Sequence, residues 1–231
     1  MHMRSLYRTM GPELVRDVAL VCLADAVVAA SFGAIAVGAG LPAWLPILLS
    51  LAVFAGASQF MLVGIVASGG SLLAAVTAGL LVNTRHVPFG FAVADTLGGG
   101  LVRRLVGSHL MVDESVAFAV AQRDPLRRNV AYWACGVSLF ICFNLAVVAG
   151  VLAGRVVGDT DAWGLDAAFP AVLLALVVPA LKDAVTRRAA LLGAAIALAT
   201  SPFLPIGLPV LLALAAVPVA ARGPGGSAVT A

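Results

Sequence analysis

Eight apolar runs, at about 18–40, 44–68, 71–97, 105–122, 129–153, 168–181, 186–203 and 205–221, make up almost the whole chain and are divided by Gly, Pro or charged residues. A helix that crosses a bilayer needs roughly 20 apolar residues. Runs of this length repeated end to end leave little choice of fold, because in lipid every backbone N–H and C=O must be paired within the segment. Over 231 residues there is room for about seven or eight crossings and for no separate soluble domain. The expected fold class is therefore all-α, a polytopic transmembrane helical bundle. Residues 1–17 form a cytoplasmic N-terminal segment, 18–221 a single transmembrane domain and 222–231 a flexible tail.

Composition agrees: 62% of residues are hydrophobic, 11% are charged and the mean hydropathy is +1.08, against about 25% charged in soluble domains. The first run, from Val18 to Leu41, exceeds the roughly 7–15 residues of a signal-peptide core and reads as an uncleaved span. Cys22, Cys135 and Cys142 have no metal spacing, and the last two, seven residues apart on one helix, are about 10.5 Å apart along its axis. All three read as small apolar fillers, and no cofactor is expected. The formal net charge of +3 comes from short basic loops, as cytoplasmic bias produces, and does not indicate a nucleic-acid partner.

Basic residues cluster at the N-terminus, at Arg123, Arg127 and Arg128, at Lys182, Arg187 and Arg188, and at Arg222. The positive-inside rule then places both termini in the cytoplasm, with an even number of crossings. Arg103 and Arg104 fall outside in an eight-span count. Either run 71–97 does not fully cross, or the 98–122 region is re-entrant or broken. Trp44, Trp133 and Trp163 lie at run ends, where interfacial Trp belongs. Phe32 through Gln59 and Asn144 through Pro179 share a pattern of small-residue helix, Trp-containing loop and apolar helix, an internal repeat of the kind that builds midplane sites in carriers.

Charge inside hydrocarbon is costly and by default marks a pathway or relay. The third run carries Asn83, Arg85 and His86 just before Pro88, which has no N–H for the Thr84 carbonyl and pushes Val87 from helical torsions. A break there is expected to gather a carbonyl, an imidazole, a guanidinium and an amide, a set that suits a zwitterion. A structural role is the alternative: Arg85 reaching an interface or pairing with Asp95, and His86 bonding a neighbouring helix. The second run places Gly56, Ser58 and Gln59 deep in an apolar helix, as substrate contacts or as interhelical glue. Asp113 and Glu114 cannot both ionise cheaply in a dry site, so one is a candidate for carrying a coupling proton; as structure, the pair caps a helix and neutralises arginines. Asp25 is a second relay candidate, and Asn144 reads as an interhelical hydrogen bond.

The segments Phe54-Ala-Gly-Ala-Ser-Gln-Phe60, Leu81-Val-Asn-Thr-Arg-His86 and Asp113-Glu114-Ser115, in this order and spacing, resemble the AzlC family. The family forms the large subunit of bacterial branched-chain amino acid exporters. The resemblance runs from about Val18 to Val219. It implies a multi-pass protein of the bacterial inner (cell) membrane that works with a small AzlD-type membrane subunit. The pair would export leucine, isoleucine, valine and also methionine, driven by proton entry. It singles out Gln59, Asn83, Arg85, His86, Asp113 and Glu114, without individual roles. The chain departs from the family pattern at Asp25 and at Val87-Pro88, which bears on substrate range. Two other classes remain at this point. One is an intramembrane enzyme acting on a lipid-linked substrate with His86 as base, for which no nucleophile or metal set is visible. The other is a structural or regulatory membrane subunit with a sealed interior.

Overall fold

The computed structural model describes residues 2–157, 178, 180–204 and 208–221, and these are helical, with no strand among the described residues. Helix α1 runs His2–Gly38 with an interruption at Gly11 (φ 62°, ψ 151°). It is followed by α2 Trp44–Ala52, α3 Gly56–Ala67, α4 Leu72–Asn83, α5 His86–Ala92, α6 Leu101–His109, α7 Asp113–Val120 and α8 Pro125–Val157. A 3₁₀ turn at Ala180–Lys182 leads to α9 Ala184–Thr200, α10 Leu208–Ala213 and α11 Ala216–Ala221.

The fold class is all-α, but the run count does not translate into seven or eight continuous spanning helices. Among the described residues two helices are long and apolar enough to cross a membrane, Gly11–Gly38 and Pro125–Val156. Run 44–68 is divided between α2 and α3, run 71–97 between α4 and α5, and run 105–122 between α6 and α7. Average hydropathy is blind to these divisions. One falls at the polar Thr84–Arg85, and the apolar Val53–Ala55 and Leu110–Val112 lie just before Gly56–Gln59 and Asp113–Ser115, whose small or polar side chains favour helix starts over helix interiors. Run 168–181 and the second limb of the proposed repeat lie largely outside the described residues.

Two compact units are present, Met1–Gln59 with Val82–Asp159, and Phe60–Leu81 with Thr160–Ala231. In the second, Ile65 of α3 packs on Ala74, Ala75 and Ala78 of α4. The turn between them closes with Gly70 N–H donating to Ile65 O (2.8 Å) and Gly69 N–H to Val66 O (3.0 Å). That is a Schellman ending, with Gly69 at φ 80° supplying the left-handed residue. At α9 the Asp183 carboxylate accepts the Thr186 N–H at 2.7 Å. Backbone and side-chain bonds from Thr186 hold its pKa below the ordinary carboxylate value. A lowered folded-state pKa means that this cap contributes above about pH 4 and is lost as pH falls through the depressed value. Hydrogen exchange at Thr186 and Arg187, corrected for intrinsic rate, is expected to accelerate on acidification and in Asp183→Ala at neutral pH.

The first unit is built on a seam between α1 and α8. A Cβ on Gly150 would collide with the Ala30 carbonyl oxygen, one on Gly33 with the Val147 carbonyl oxygen, and one on Gly154 would come within 3.0 Å of the Ala34 backbone. Gly150-Val-Leu-Ala-Gly154 thus faces Ala30 and Ala34 four residues apart, the small-residue stripe by which membrane helices bring backbones together. Since Ala30 meets Gly150 and Ala34 meets Gly154, α1 and α8 run in the same direction. The chain from 39 to 124 therefore returns to the end from which it started.

That return is stepwise. Ser50 of α2 donates to Asn144 Oδ1 at 2.7 Å, the interhelical bond expected of Asn144. At the N-terminal end of α8, Arg128 reaches the Ala92 carbonyl and pairs with Asp95 at 3.3 Å, while Asn129 Nδ2 donates to Thr96 O at 3.2 Å. Arg103 donates to Asn129 Oδ1 at 3.1 Å, and Tyr132 donates to Gly107 O at 2.7 Å. The segment from 96 to 129 starts and finishes beside the same end of α8 and is broken between α6 and α7, as run 71–97 is between α4 and α5. Arg103 lies beside Asn129 at that end.

Candidate functional site

Two helix interruptions fall beside the middle of α8, and a third is tied to one of them by an ion pair. The first is Val53–Ala55, where Phe54 is held at φ 44°, a left-handed conformation costing a bulky residue about 1–3 kcal/mol. Its ring packs edge-on against Phe140 (centroids 5.0 Å) and Phe143 (5.7 Å) and lies 6.2 Å from the His109 ring. Loss of this packing in Phe54→Ala is expected to cost about 3–5 kcal/mol, read as a lower melting midpoint in detergent.

The second interruption follows directly from His109, at Leu110–Val112. A Cβ on Gly136 of α8 would lie 3.1 Å from Leu110 O. Ser115 donates to Leu110 O at 3.0 Å and accepts the Val112 N–H at 3.0 Å, which caps α7. Asp113 and Glu114 thereby occupy the first turn of α7, where carboxylates favour the positive end of the helix dipole.

The third lies at Thr84–Arg85, upstream of where Pro88 alone would put it. Pro88 stands in the first turn of α5, where an N–H would have had no helical partner, so the ring is accommodated rather than disruptive. The Thr84 carbonyl accepts the Val87 N–H at 3.1 Å and is not left free.

Arg85 Nη1 meets Asp113 Oδ2 at 2.8 Å, not Asp95, and this bond joins the third interruption to the second. His86 Nδ1 donates to Asn83 O at 2.9 Å, since a carbonyl can only accept. Glu114 feels both Asp113 and Arg85 electrostatically, and Asp25 on α1 feels Glu114. The charges form a chain, Asp25 to Glu114, and Glu114 to Asp113 and Arg85, the last two paired with each other.

Gly56, expected deep in a helix, is instead the first residue of α3, just past the Phe54 interruption. Ser58 is committed to its own turn, donating to Ala55 O at 2.9 Å. Gln59 differs: it is 1% exposed and neither its amide nitrogen nor its oxygen has a partner, and the buried Asn83 Oδ1 and Arg85 Nε are likewise without hydrogen bonds. Buried polar groups are paired in the great majority of cases, so orphans at three selected positions form an exception with a cost of about 1–3 kcal/mol each. The sequence reading passed over Phe54 and His109 as contributors; the signal was their position two to four residues before the polar or small-residue starts Gly56–Gln59 and Asp113–Glu114.

No metal-holding cluster is present among the described residues. Two long apolar helices, interrupted short helices and a charged cluster beside them are consistent with a membrane transport subunit. A family model described as AzlC protein matches residues 20–157, and the chain belongs to the AzlC family. Its members are non-catalytic transport subunits, so the enzyme alternative falls, and membership supports a role related to branched-chain amino acid export. No curated protein and no solved structure matches the chain.

Proposed function

We propose that the chain is the large subunit of a proton-coupled exporter of leucine, isoleucine, valine and methionine, acting with a small AzlD-type partner in the bacterial inner membrane. In this reading the molecule is multi-pass, with about seven or eight membrane segments, several of them paired half-helices, within one transmembrane domain over 18–221. The basic ends of α1 and α8 face the cytoplasm. The observation that carries the proposal is the unpartnered Gln59 amide, together with Asn83 Oδ1 and Arg85 Nε, near broken helices of the kind that hold substrate in many carriers. Arg85 takes the substrate carboxylate, and Gln59 and Asn83 complete their hydrogen bonds on the amino acid. His86 lines the same turn, and Gly56 and Ser58 shape the approach. Asp25, Asp113 and Glu114 carry the proton.

Proteoliposomes containing the chain and its small partner should show leucine efflux that acidifies the lumen it leaves; proton flux independent of substrate, or no flux, would sink the reading. Gln59→Leu separates ligand from structure. An apolar side chain of similar size removes two orphaned atoms, so melting is expected to stay level or rise, while transport falls about 10-fold or more, the value of one hydrogen bond at about 1.5 kcal/mol. Transport unchanged with higher melting would make Gln59 a structural residue alone.

A further inference from the structure

Below the Gly33 and Gly150 seam, α1 and α8 flank a cavity of about 870 Å³, lined by Leu14, Val18 and Leu23 on one side and Asn129, Trp133 and Val137 on the other. We propose that this groove holds the acyl chains of an anionic phospholipid of the leaflet at the basic end of the two helices, with Arg103 binding its phosphate. The assignment rests only on the reading of the chain as a membrane protein and not on its substrate.

Three features select this occupant. The lining extends from Leu14 to Ala26 on α1 and from Asn129 to Cys142 on α8, about 18–20 Å at 1.5 Å per residue. That matches one leaflet of a hydrocarbon core of about 30 Å, with a few ångströms left for the headgroup region. Apart from Ser138 the lining is apolar until Asn129 and Trp133, at the end where basic residues gather. There Arg103 is fixed by two groove residues: its guanidinium donates to Asn129 Oδ1 at 3.1 Å and lies 5.2 Å from the Trp133 ring centre. Among the described residues Arg103 has no carboxylate partner, whereas Arg16, on the α1 side, is paired with Asp17 at 3.6 Å. The helix that carries Arg103 exposes Leu101, Val102, Leu105 and Val106, the composition of an interfacial helix with its apolar side in the acyl region and its arginines at headgroup depth.

The test uses the full chain with Trp44→Phe and Trp163→Phe, leaving Trp133 as the reporter, in nanodiscs with brominated-acyl phosphatidylglycerol or brominated-acyl phosphatidylethanolamine at equal fraction. Quenching of Trp133 is expected to show about five-fold preference for phosphatidylglycerol, the factor that one basic residue near an anionic surface supplies. Arg103→Gln should reduce that preference to about one, and Arg104→Gln, with the same change of charge but no contact to the groove, should retain it. Equal quenching by both lipids in the wild type, equal loss in the two variants, or no quenching because a partner helix or second copy covers Trp133 would each overturn the assignment.

Discussion

Replacing Arg85 by alanine is expected to lower transport by about 100-fold with the protein still inserted and folded. The guanidinium is the strongest fixed positive charge among the interacting groups, and a charge-assisted hydrogen bond to a carboxylate is worth about 1.5–3 kcal/mol, or roughly 10–100-fold. Removal also leaves Asp113 without the partner it meets at 2.8 Å. Two roles must therefore be separated. If Arg85 only neutralises Asp113, Arg85→Lys, which keeps the positive charge beside that carboxylate, should recover both melting and transport. If Arg85 holds the substrate carboxylate, Arg85→Lys should regain melting and rescue transport only in part, because an ammonium supplies the charge without the fork. Leucine efflux from proteoliposomes together with thermal melting decides between them, and unchanged efflux in the single variant would clear Arg85 of substrate binding.

Gly150→Ala is expected to be the most damaging added methyl among the described glycines. Its Cβ would overlap the Ala30 carbonyl oxygen and approach the backbone at Ala30 Cα within 2.8 Å. The obstacle is backbone, which cannot swing aside as a side chain does. The helices must separate, and overpacking of this kind costs about 1–3 kcal/mol, with a contact against main chain placed at the upper end. Melting in detergent should fall sharply, and Gly150→Val should yield mostly aggregated protein on size exclusion. Gly100→Ala, where a Cβ meets nothing within 4 Å, is the matched control; equal melting of the two would remove the seam as the organising contact of this unit.

Helical class and the polar positions were legible in the residues because they follow from hydrophobic length and from the cost of charge in lipid. Arg85, Asn83 and Gln59 stood out for what they are, and the structure places buried unpartnered atoms on all three. Helix continuity was not legible. Gly56 and Pro88 look alike as interruptions in a hydropathy trace, yet one opens a helix after a strained Phe54 and the other sits harmlessly in a first turn. What decides is the backbone pairing around each, including the capping of α7 by Ser115, which depends on neighbours distant in sequence. The pairing of Arg85 with Asp113 rather than Asp95 was hidden for the same reason: Asp95 is nearer along the chain but is taken by Arg128.

The close approach of Gly150 to Ala30 and of Gly154 to Ala34 has a mechanical consequence. Backbones in contact through a four-residue repeat cannot slide by a fraction of a turn without driving Cβ atoms into carbonyls. The two helices can change register only by a full step of about 5.4 Å. Packed interfaces of this kind are bistable rather than continuously deformable. If the chain transports as proposed, the seam is the part that stays fixed, and exposure of the Arg85 turn to the two sides of the membrane is left to the short, interrupted helices.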